Sequence, residues 1–197
     1  VKAPATLHFL PEFSREETVR GLEKFSHLWL LFIFHHNEPV RPSGTGNTTS
    51  HWSPMVRPPR LGGNKKVGVF ASRSPFRPNP IGMSAVKLRT VEKTAKGPVL
   101  HLTGVDLMDQ TPVLDIKPYL PYSDSISDAQ DAFAGRPPGK KLTVIYSDRA
   151  LRQTREKEES IPNLSAIITG ILEQDPRPAY KASAHTDGSS DRYGGTV

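Results

Sequence analysis

The chain has 197 residues, of which 36% are hydrophobic, and a formal net charge of +6. This length predicts one folded core with a small addition, and the absence of cysteine excludes disulfides, thiol nucleophiles and cysteine metal sites. No apolar run approaches the roughly 20 residues that cross a membrane, and residues 1–10 lack the apolar core of a secretion signal. The absence of cysteine is compatible with a cytoplasmic protein, which is the location we expect.

The first predicted elements are a short strand and a helix. Residues 5–10 favour a strand. Ser14 and Glu17 have the spacing of a capping box, which predicts a helix from Ser14 to about Phe25. The positions expected to face inward are Val19, Leu22 and Phe25.

Residues 27–34, HLWLLFIF, are rich in aromatic and branched side chains and predict a central strand. The strand leads into His35 and His36, at the kind of strand end where sites are often built. Because successive side chains of a strand point to opposite faces, we expect at most one of the two imidazoles to face any one pocket. A structural role for either histidine is the alternative.

More short strands follow a long irregular segment, residues 38–64, of a length that is usually functional or disordered. A turn at residues 95–98 predicts a hairpin. The further predicted strands are residues 67–71, 82–91, 99–105, 112–116 and 142–147. Such closely spaced strands predict a mainly β fold, a closed or nearly closed β-barrel with a few helices and a small C-terminal α/β appendage.

Three regions are expected along the chain. Residues 1–147 would form the β-barrel domain, and residues 148–182 a small helical region, because residues 163–172 have apolar side chains at helical spacing. Residues 183–197 are small, polar and rich in glycine, a composition that predicts a mobile tail.

Positive charge is concentrated in one segment. Residues 40–91 contain no Asp or Glu and carry a formal +9, so the rest of the chain sums to −3. The basic residues of this segment are Arg41, Arg57, Arg60, Lys65, Lys66, Arg73, Arg77, Lys87 and Arg89. Such a block favours a nucleic-acid partner, whose binding would weaken with salt, and a solvated basic surface is the alternative.

Within that segment, residues 68–83 (GVFASRSPFRPNPIGM) combine two arginines with three prolines. Arg73 and Arg77 can form forked hydrogen bonds to a phosphate or a carboxylate, and a solvated loop charge is the alternative for each. Asn79 and the proline after it are faintly similar to the clamp of amino-group methylases, which binds the exocyclic amine of its target.

Two carboxylates are further candidate site residues, and several known binding motifs are absent from the sequence. Asp106, at the end of a predicted strand, would hold a ribose or an amino group, or cap a turn. Asp115 is interpreted in the same way, with a cross-strand ion pair as the alternative. Residues 44–46 (GTG) lack a third glycine and a preceding strand, which excludes a dinucleotide-binding loop, and the sequence has no P-loop and no HExxH pattern. We therefore expect no metal centre.

Six segments occur in the order found in the TrmO, or TsaA-like, tRNA methyltransferases, and the chain resembles the bacterial branch of that family from about residue 5 to residue 181. The segments are HLWLLFIFHH (27–36), VRPPRLGG (56–63), GVFASRSPFRPNPIGMS (68–84), GVDLM (104–108), TPVLDIKPYLPYS (111–123) and DPRPAY (175–180). The resemblance implies a β-barrel fold, S-adenosylmethionine as cofactor and a homodimer with cofactor pockets near its interface. It also implies methylation of N6 of threonylcarbamoyladenosine, next to the anticodon of tRNA.

The resemblance further implies a set of site residues. The cofactor-binding positions would be His35, His36, Arg73, Met83, Val105, Asp106, Leu107 and Met108. As a separate mechanistic hypothesis, we expect Arg77 and Asn79 to orient the modified base and its threonyl carboxylate, and His35 is the candidate general base only if it faces the pocket. The positions that hold tRNA phosphates would be Arg57, Arg60, Lys65 and Lys66.

The chain departs from the family pattern at His36, because glutamine is common at this position in the bacterial branch. A contact made through the backbone would tolerate this change. Family members usually begin with another strand and a Pro-Arg-Gln-like segment and continue past Gly195 into a further strand, so we expect a trimmed version of the family's full length. Two other functions stay open: a non-catalytic RNA-binding β-barrel, and an enzyme that acts on a phosphorylated small molecule.

Overall fold

The computed structural model describes residues 3–37, 52–58, 65–130 and 142–174. These residues belong to two compact units. The larger unit consists of Lys2–Val56 and Val67–Ala129, and the smaller unit consists chiefly of Arg57–Lys66 and Gln130–Val197. None of the helices described is long and apolar enough to span a membrane.

The larger unit contains seven strands in its described residues. They are β1 (Pro4–His8), β2 (His27–Ile33), β3 (Met55–Val56), β4 (Val67–Gly68), β5 (Ile81–Thr94), β6 (Gly97–Thr103) and β7 (Val113–Pro118). Five of them form an antiparallel sheet in the order β1-β6-β5-β2-β7, and β3 pairs with β4. The strands predicted in this unit are confirmed to within a few residues, except that the one over residues 67–71 ends at Gly68 and continues as a 3-10 turn.

The core lies on one face of the five-stranded sheet because apolar side chains alternate along its central strands. Leu28, Leu30 and Phe32 of β2 are buried, and Leu28 pairs in register with the buried Val86 of β5. On β6, Leu100 is fully buried. Removing each such side chain from water contributes about 1.5–3 kcal/mol.

The expected β-barrel is wrong. Among the described residues, β1 and β7 are the two edges of the sheet and do not pair with each other, whereas a barrel requires that its first and last strands be hydrogen-bonded. An open sheet is sufficient because Val19, Leu22, Val105 and Leu107 cover its apolar face. The expected mainly β composition is also wrong, since helices and strands occupy comparable shares of the described residues.

The helix predicted after Ser14 is also absent from the described structure. Three 3-10 turns stand in its place, at Pro11–Phe13, Glu16–Val19 and Leu22–Lys24. The Ser14 hydroxyl donates to the carbonyl oxygen of Lys96 at 2.9 Å instead of capping a helix. Gly21 has a φ of 88°, a left-handed conformation that interrupts a helix. Of the three positions expected to face inward, Phe25 is exposed.

Helices account for the regular structure of the smaller unit in its described part. A short helix, α1 (Pro121–Asp124), belongs to the larger unit, and α2 (Asp148–Glu158) and α3 (Leu164–Leu172) belong to the smaller one. Ser147 caps α2 by accepting a hydrogen bond from the backbone N–H of Ala150 at 3.3 Å. The helix predicted over residues 163–172 is confirmed, but residues 142–147, predicted as a strand of the β-barrel domain, form no strand. Among residues 148–174 the structure describes helices and no strand, so the expected α/β appendage is helical in its described part.

Candidate functional site

Three chain segments meet at one end of the five-stranded sheet, where β2 ends and β5 and β7 begin. Phe34, which follows β2, donates its backbone N–H to the carbonyl oxygen of Pro80 at 2.8 Å. The last residue of β2 donates in the same way to Pro112 at 3.0 Å. His35 and Asn79 are the chain neighbours of Phe34 and Pro80, so both lie at this end of the sheet.

The two histidines are not arranged as strand geometry predicts. β2 ends at Ile33, and the chain then turns, with the backbone N–H of His35 donating to the carbonyl oxygen of Ile33 at 2.9 Å. The rings of His35 and His36 are in contact, with their centroids 4.0 Å apart and their planes tilted by 43°. The expectation that the imidazoles face opposite sides is therefore wrong, because the alternation of a strand does not extend into a turn.

Asp106 is brought against β5 by the segment that follows β6. Gly104, with a φ of 84°, turns the chain, and Val105 and Leu107 then pack against the core. Between them, Asp106 accepts a hydrogen bond from Ser84 Oγ at 2.6 Å. The carboxylate is thus exposed but fixed in position, and its second oxygen, Oδ2, can accept a hydrogen bond from a ligand.

The apolar positions predicted to bind cofactor are placed in different ways. Successive residues of β5 face opposite sides of the sheet, so the side chain of Met83 lies on the face opposite to that of Ser84. Met108, two residues after Asp106, is 65% exposed. The side chains of Val105 and Leu107 pack against the core, so only their backbone groups are available for contacts with a ligand.

The loop between β4 and β5 is held by hydrogen bonds of its own. Arg77 donates from Nη1 to the carbonyl oxygens of Ser72 at 3.1 Å and Ser74 at 3.4 Å. Its guanidinium also lies 5.9 Å from the ring centroid of Phe70. Both bonds use Nη1, so the edge formed by Nε and Nη2 can still fork onto a carboxylate. Arg73, on the same loop, is exposed.

A glycine permits close packing at this end of the sheet. A Cβ atom on Gly82 would lie 2.3 Å from Cζ of Phe32 and 2.9 Å from Cζ of Phe34. The two rings pack edge to face with centroids 5.2 Å apart. Because Phe34 leads directly into the histidine turn, a larger residue at position 82 would displace the segment that carries His35.

Sequence reasoning missed two residues of this site. Ser84 is the partner of Asp106, and no local pattern signals it, because the pairing depends on where the chain returns after β6. Asn37 has a buried side-chain Nδ2 with no hydrogen-bond partner in the described structure. The one sequence signal for Asn37 is that it directly follows the histidine pair.

Taken one at a time, these groups have the chemistry that S-adenosylmethionine requires, the cofactor that the resemblance implies, although no contact in the described structure joins Asp106 to Asn37. The Asp106 carboxylate can accept hydrogen bonds from ribose hydroxyls or an amino group, and the unpaired Asn37 amide can donate to a carboxylate or a ring nitrogen. The exposed, polarisable side chain of Met108 suits an aromatic base. An acceptor, a donor and an apolar contact are what a ligand that is both nucleoside and amino acid requires.

The residues predicted to hold tRNA phosphates are only partly covered by the structure. Those described as exposed are Arg57, Lys65 and Lys66. Arg60 lies outside the described residues.

Asp115 belongs to the surface of the sheet. It pairs with Lys117, two residues along the same strand, at 2.9 Å, and the hydrogen bond from Lys117 lowers the pKa of Asp115. The ion pair therefore lies within one strand and is not the cross-strand pair offered as an alternative. In the ranges that the structure describes, no group of three His, Asp or Glu side chains could hold a metal ion.

Comparison with known proteins places the chain in a family. It matches the tRNA-methyltransferase O N-terminal domain over residues 1–125 and the TrmO C-terminal domain over residues 139–195. It is 44% identical over 184 residues to the tRNA (adenine(37)-N6)-methyltransferase of Escherichia coli (strain K12), an alignment that covers 93% of this chain and 74% of that protein. RcsF of Pseudomonas aeruginosa, named as an S-adenosylmethionine-dependent methyltransferase, is 44% identical over 180 residues, which are 91% of this chain and 71% of that protein. A crystal structure of TrmO superposes with a TM-score of 0.68 at 39% identity, covering 89% of this chain and 69% of that one.

Proposed function

This chain belongs to the TrmO family, and from that premise we propose that it methylates N6 of adenine 37 in tRNA with S-adenosylmethionine as the methyl donor. The observation that carries the proposal is the 44% identity to the Escherichia coli tRNA (adenine(37)-N6)-methyltransferase across 93% of the chain. The site supports it, because the Asp106 carboxylate held by Ser84 and the Asn37 amide that follows the histidine pair offer polar groups for the cofactor.

The adenine is proposed to carry a threonylcarbamoyl group on N6 before it is methylated. That group adds a carboxylate, and a guanidinium is its natural partner because it donates two parallel hydrogen bonds. The Nε–Nη2 edge of Arg77 would take the carboxylate, since the loop carbonyls are bonded to Nη1. Asn79, exposed at the end of the same loop, would orient the base.

Cofactor binding is assigned to groups around Asp106. Its carboxylate, the Asn37 amide and the backbone groups of Val105 and Leu107 would hold the cofactor, with Met108 against the adenine ring. His36, Arg73 and Met83 stay predictions as cofactor positions, and the Met83 side chain lies on the sheet face opposite to Ser84, the partner of Asp106. When bound, the cofactor supplies a methyl group on a positively charged sulfur, and N6 of the substrate takes that methyl in exchange for its proton.

The chain's own contribution to the reaction is alignment and proton removal. Holding the reacting atoms in line supplies several kcal/mol, because a bimolecular step becomes an intramolecular one. The carbonyl attached to N6 delocalises the nitrogen lone pair and makes its proton more acidic, so a positioned base accelerates transfer, typically by about 10²–10⁴-fold. His35 is proposed as that base, since it lies half-buried beside the loop that would orient the adenine.

The proposal also includes the tRNA contacts, the oligomeric state and the location of the enzyme. The tRNA backbone would be held by Arg57, Arg60, Lys65 and Lys66. The enzyme would act as a homodimer in the cytoplasm. The division into residues 1–147, 148–182 and 183–197 stays a prediction.

The test is transfer of labelled methyl from S-adenosylmethionine to two tRNAs that differ only in whether adenine 37 carries the threonylcarbamoyl group. We expect label in the modified tRNA and little in the unmodified one. A tRNA with guanine at position 37 is the matched control, because it lacks the N6 acceptor.

The possible outcomes separate the parts of this proposal. Equal labelling of both tRNAs would keep the methyltransferase and remove the requirement for the threonylcarbamoyl group. No labelling together with tight cofactor binding in calorimetry would point to a different substrate. Absence of both labelling and cofactor binding would leave a non-catalytic RNA-binding protein.

A further inference from the structure

Two phenylalanines are exposed on the loop between β4 and β5. Phe70 is 74% exposed and Phe76 is 57% exposed. Aromatic rings are normally placed where they lose a large apolar area to packing. Two such rings on one short loop, away from the core, therefore indicate a surface that is covered in the functional complex.

The loop holds these rings in place although neither belongs to the core. Val69, beside Phe70, is buried and donates its backbone N–H to the carbonyl oxygen of Pro54 at 2.9 Å. The backbone N–H of Phe76 donates to Ser74 Oγ at 3.2 Å. Three prolines further restrict the backbone of the loop. The backbone that carries both rings is therefore preorganised, so little backbone entropy would be lost when a partner binds.

The charge of the loop indicates which partner fits. The Arg77 guanidinium lies within cation–π distance of the Phe70 ring, and Arg73 is exposed nearby in sequence. The wider segment, residues 40–91, contains no acidic residue. Flat apolar rings combined with cations and without carboxylates are the recognised surface for single-stranded nucleic acid, in which bases stack on the rings and phosphates pair with the cations.

We propose that Phe70 and Phe76 are stacking platforms for unpaired bases that flank the methylated adenine in the tRNA. The inference rests on the proposed function. Their loop ends at Pro80, whose carbonyl oxygen accepts the backbone N–H of Phe34, next to the histidine pair. Bases of a duplex stack on each other and cannot reach the rings, so this surface selects RNA with an open loop.

Binding measurements on the whole chain test the proposal. The probes are a fluorescent RNA hairpin that copies an anticodon arm and a duplex of the same stem without the loop, both titrated at fixed salt and without cofactor. Phe70→Ala and Phe76→Ala should each bind the hairpin about tenfold more weakly, as expected for the loss of one stacked base. Affinity for the duplex, which depends on phosphates, should not change.

Three control variants identify stacking as the cause. Phe70→Tyr keeps an aromatic face and should bind like the wild type, whereas Phe70→Leu keeps apolar bulk without that face and should bind as weakly as Phe70→Ala. Phe13→Ala removes a ring of the same 57% exposure as Phe76 from a distant part of the sequence and should change nothing. Equal hairpin affinity for wild type and Phe70→Ala, or equal loss for hairpin and duplex, would overturn the proposal.

The same variants distinguish RNA from a second copy of the chain as the partner that covers the rings. They also separate a failure of this inference from a failure of the proposed function. If Phe70→Ala changes the sedimentation coefficient, a second copy of the chain covers the ring and the stacking proposal is wrong. A wild type that binds the hairpin through Phe70 but never methylates tRNA would contradict the proposed function alone. A wild type that methylates tRNA while Phe70→Ala binds the hairpin normally would contradict this inference alone.

Discussion

The hydroxyl of Ser84 fixes one oxygen of the Asp106 carboxylate and leaves the other free to accept a hydrogen bond. Both side chains are short, so a ligand that binds there orders few rotatable bonds. Hydrogen bonds to a charged acceptor are worth about 1.5–3 kcal/mol, against 0.5–1.5 kcal/mol for a neutral one. At the scale of single residues, this carboxylate is therefore the sharpest test of the proposed cofactor site.

Asp106→Asn should weaken the binding of S-adenosylmethionine about tenfold, because it removes the charge and keeps the shape of the acceptor. Isothermal titration calorimetry measures the change. The melting temperature should stay nearly constant, since the asparagine oxygen can still accept from Ser84. Asp109→Asn, an exposed carboxylate three residues away, is the matched control. Unchanged affinity in Asp106→Asn would show that this carboxylate does not hold the cofactor.

Single residues were predicted unevenly from the sequence, and the reason is geometric. Asp106 and Arg77 are candidates by their own chemistry, but the role of Asp106 in cofactor binding came from the resemblance and stays a prediction. Ser84 and Asn37 are ordinary polar residues whose importance depends on which group the fold places beside them. The contact between the His35 and His36 rings depends on the residue at which β2 ends, which strand periodicity does not specify.

At the scale of secondary-structure elements, hydrogen bonds to the carboxylate of Glu158 link α2 to α3. Glu158, the last residue of α2, accepts hydrogen bonds from Ser165 Oγ at 2.5 Å and from Ser165 N at 2.9 Å. Ser165 lies in the first turn of α3, where backbone N–H groups have no partner within the helix. These bonds from Ser165 lower the pKa of Glu158 below its usual value.

Glu158→Gln should lower the melting temperature modestly at about pH 7, because glutamine keeps an acceptor for Ser165 and loses the charge that favours a helix N-terminus. The folded-state pKa of Glu158 lies below its unfolded-state pKa, so this stabilisation is complete above the unfolded value of about 4.3 and disappears as the pH falls through the folded value. Thermal melts of wild type and variant should therefore converge in acid.

Glu156→Gln is the matched control for this helix, because Glu156 is exposed on α2 two residues earlier. It should melt like the wild type at both pH values. A difference between wild type and Glu158→Gln that stays constant from neutral pH into acid would show that the carboxylate charge does not stabilise the first turn of α3.

Secondary-structure elements were predicted well from long apolar segments and poorly from short local motifs. Residues 163–172 carry apolar side chains at helical spacing and residues 27–34 form an almost continuous aromatic and branched run, and both elements are confirmed. The capping box at Ser14 fails because the hydroxyl has a better partner far away in sequence, the carbonyl of Lys96. A local motif cannot reveal a competing tertiary hydrogen bond.

For the molecule as a whole, the distribution of charge is the main determinant of the proposed RNA binding. A formal +9 lies in residues 40–91, while the rest of the chain is net negative. Each phosphate that a basic side chain neutralises releases condensed counterions, so the number of contacts can be read from the salt dependence of binding.

Lys65→Ala combined with Lys66→Ala should make the slope of log affinity against log salt concentration shallower by about 1.4–1.8, or roughly 0.7–0.9 for each lost phosphate contact. Fluorescence titrations of labelled tRNA over a series of salt concentrations provide the slope. The matched control is Lys24→Ala with Lys96→Ala, two exposed lysines outside the acid-free segment. If both double variants alter the slope equally, the acid-free segment is not the phosphate-binding surface.

The sequence pattern did not determine how the strands of the sheet are arranged. Closely spaced strands with turns between them are compatible with a barrel and with an open sheet, and the difference lies in whether the edges β1 and β7 pair. That pairing depends on what covers the apolar face. Here Val105 and Leu107 cover it together with turns from the N-terminal segment, and the edges stay apart in the described structure.

The order of the strands has a consequence for the chain during its synthesis. In the five-stranded sheet, β5 and β6 are the neighbours that are also consecutive in sequence, and hairpins of this kind close within microseconds. β2 pairs with β5 and β7, and β1 pairs with β6 through contacts such as Pro4 with Thr103. A nascent chain therefore carries β1 and β2 out of the ribosome without partners. The apolar stretch HLWLLFIF has to wait, exposed to chaperones and to aggregation, until about fifty more residues have been made.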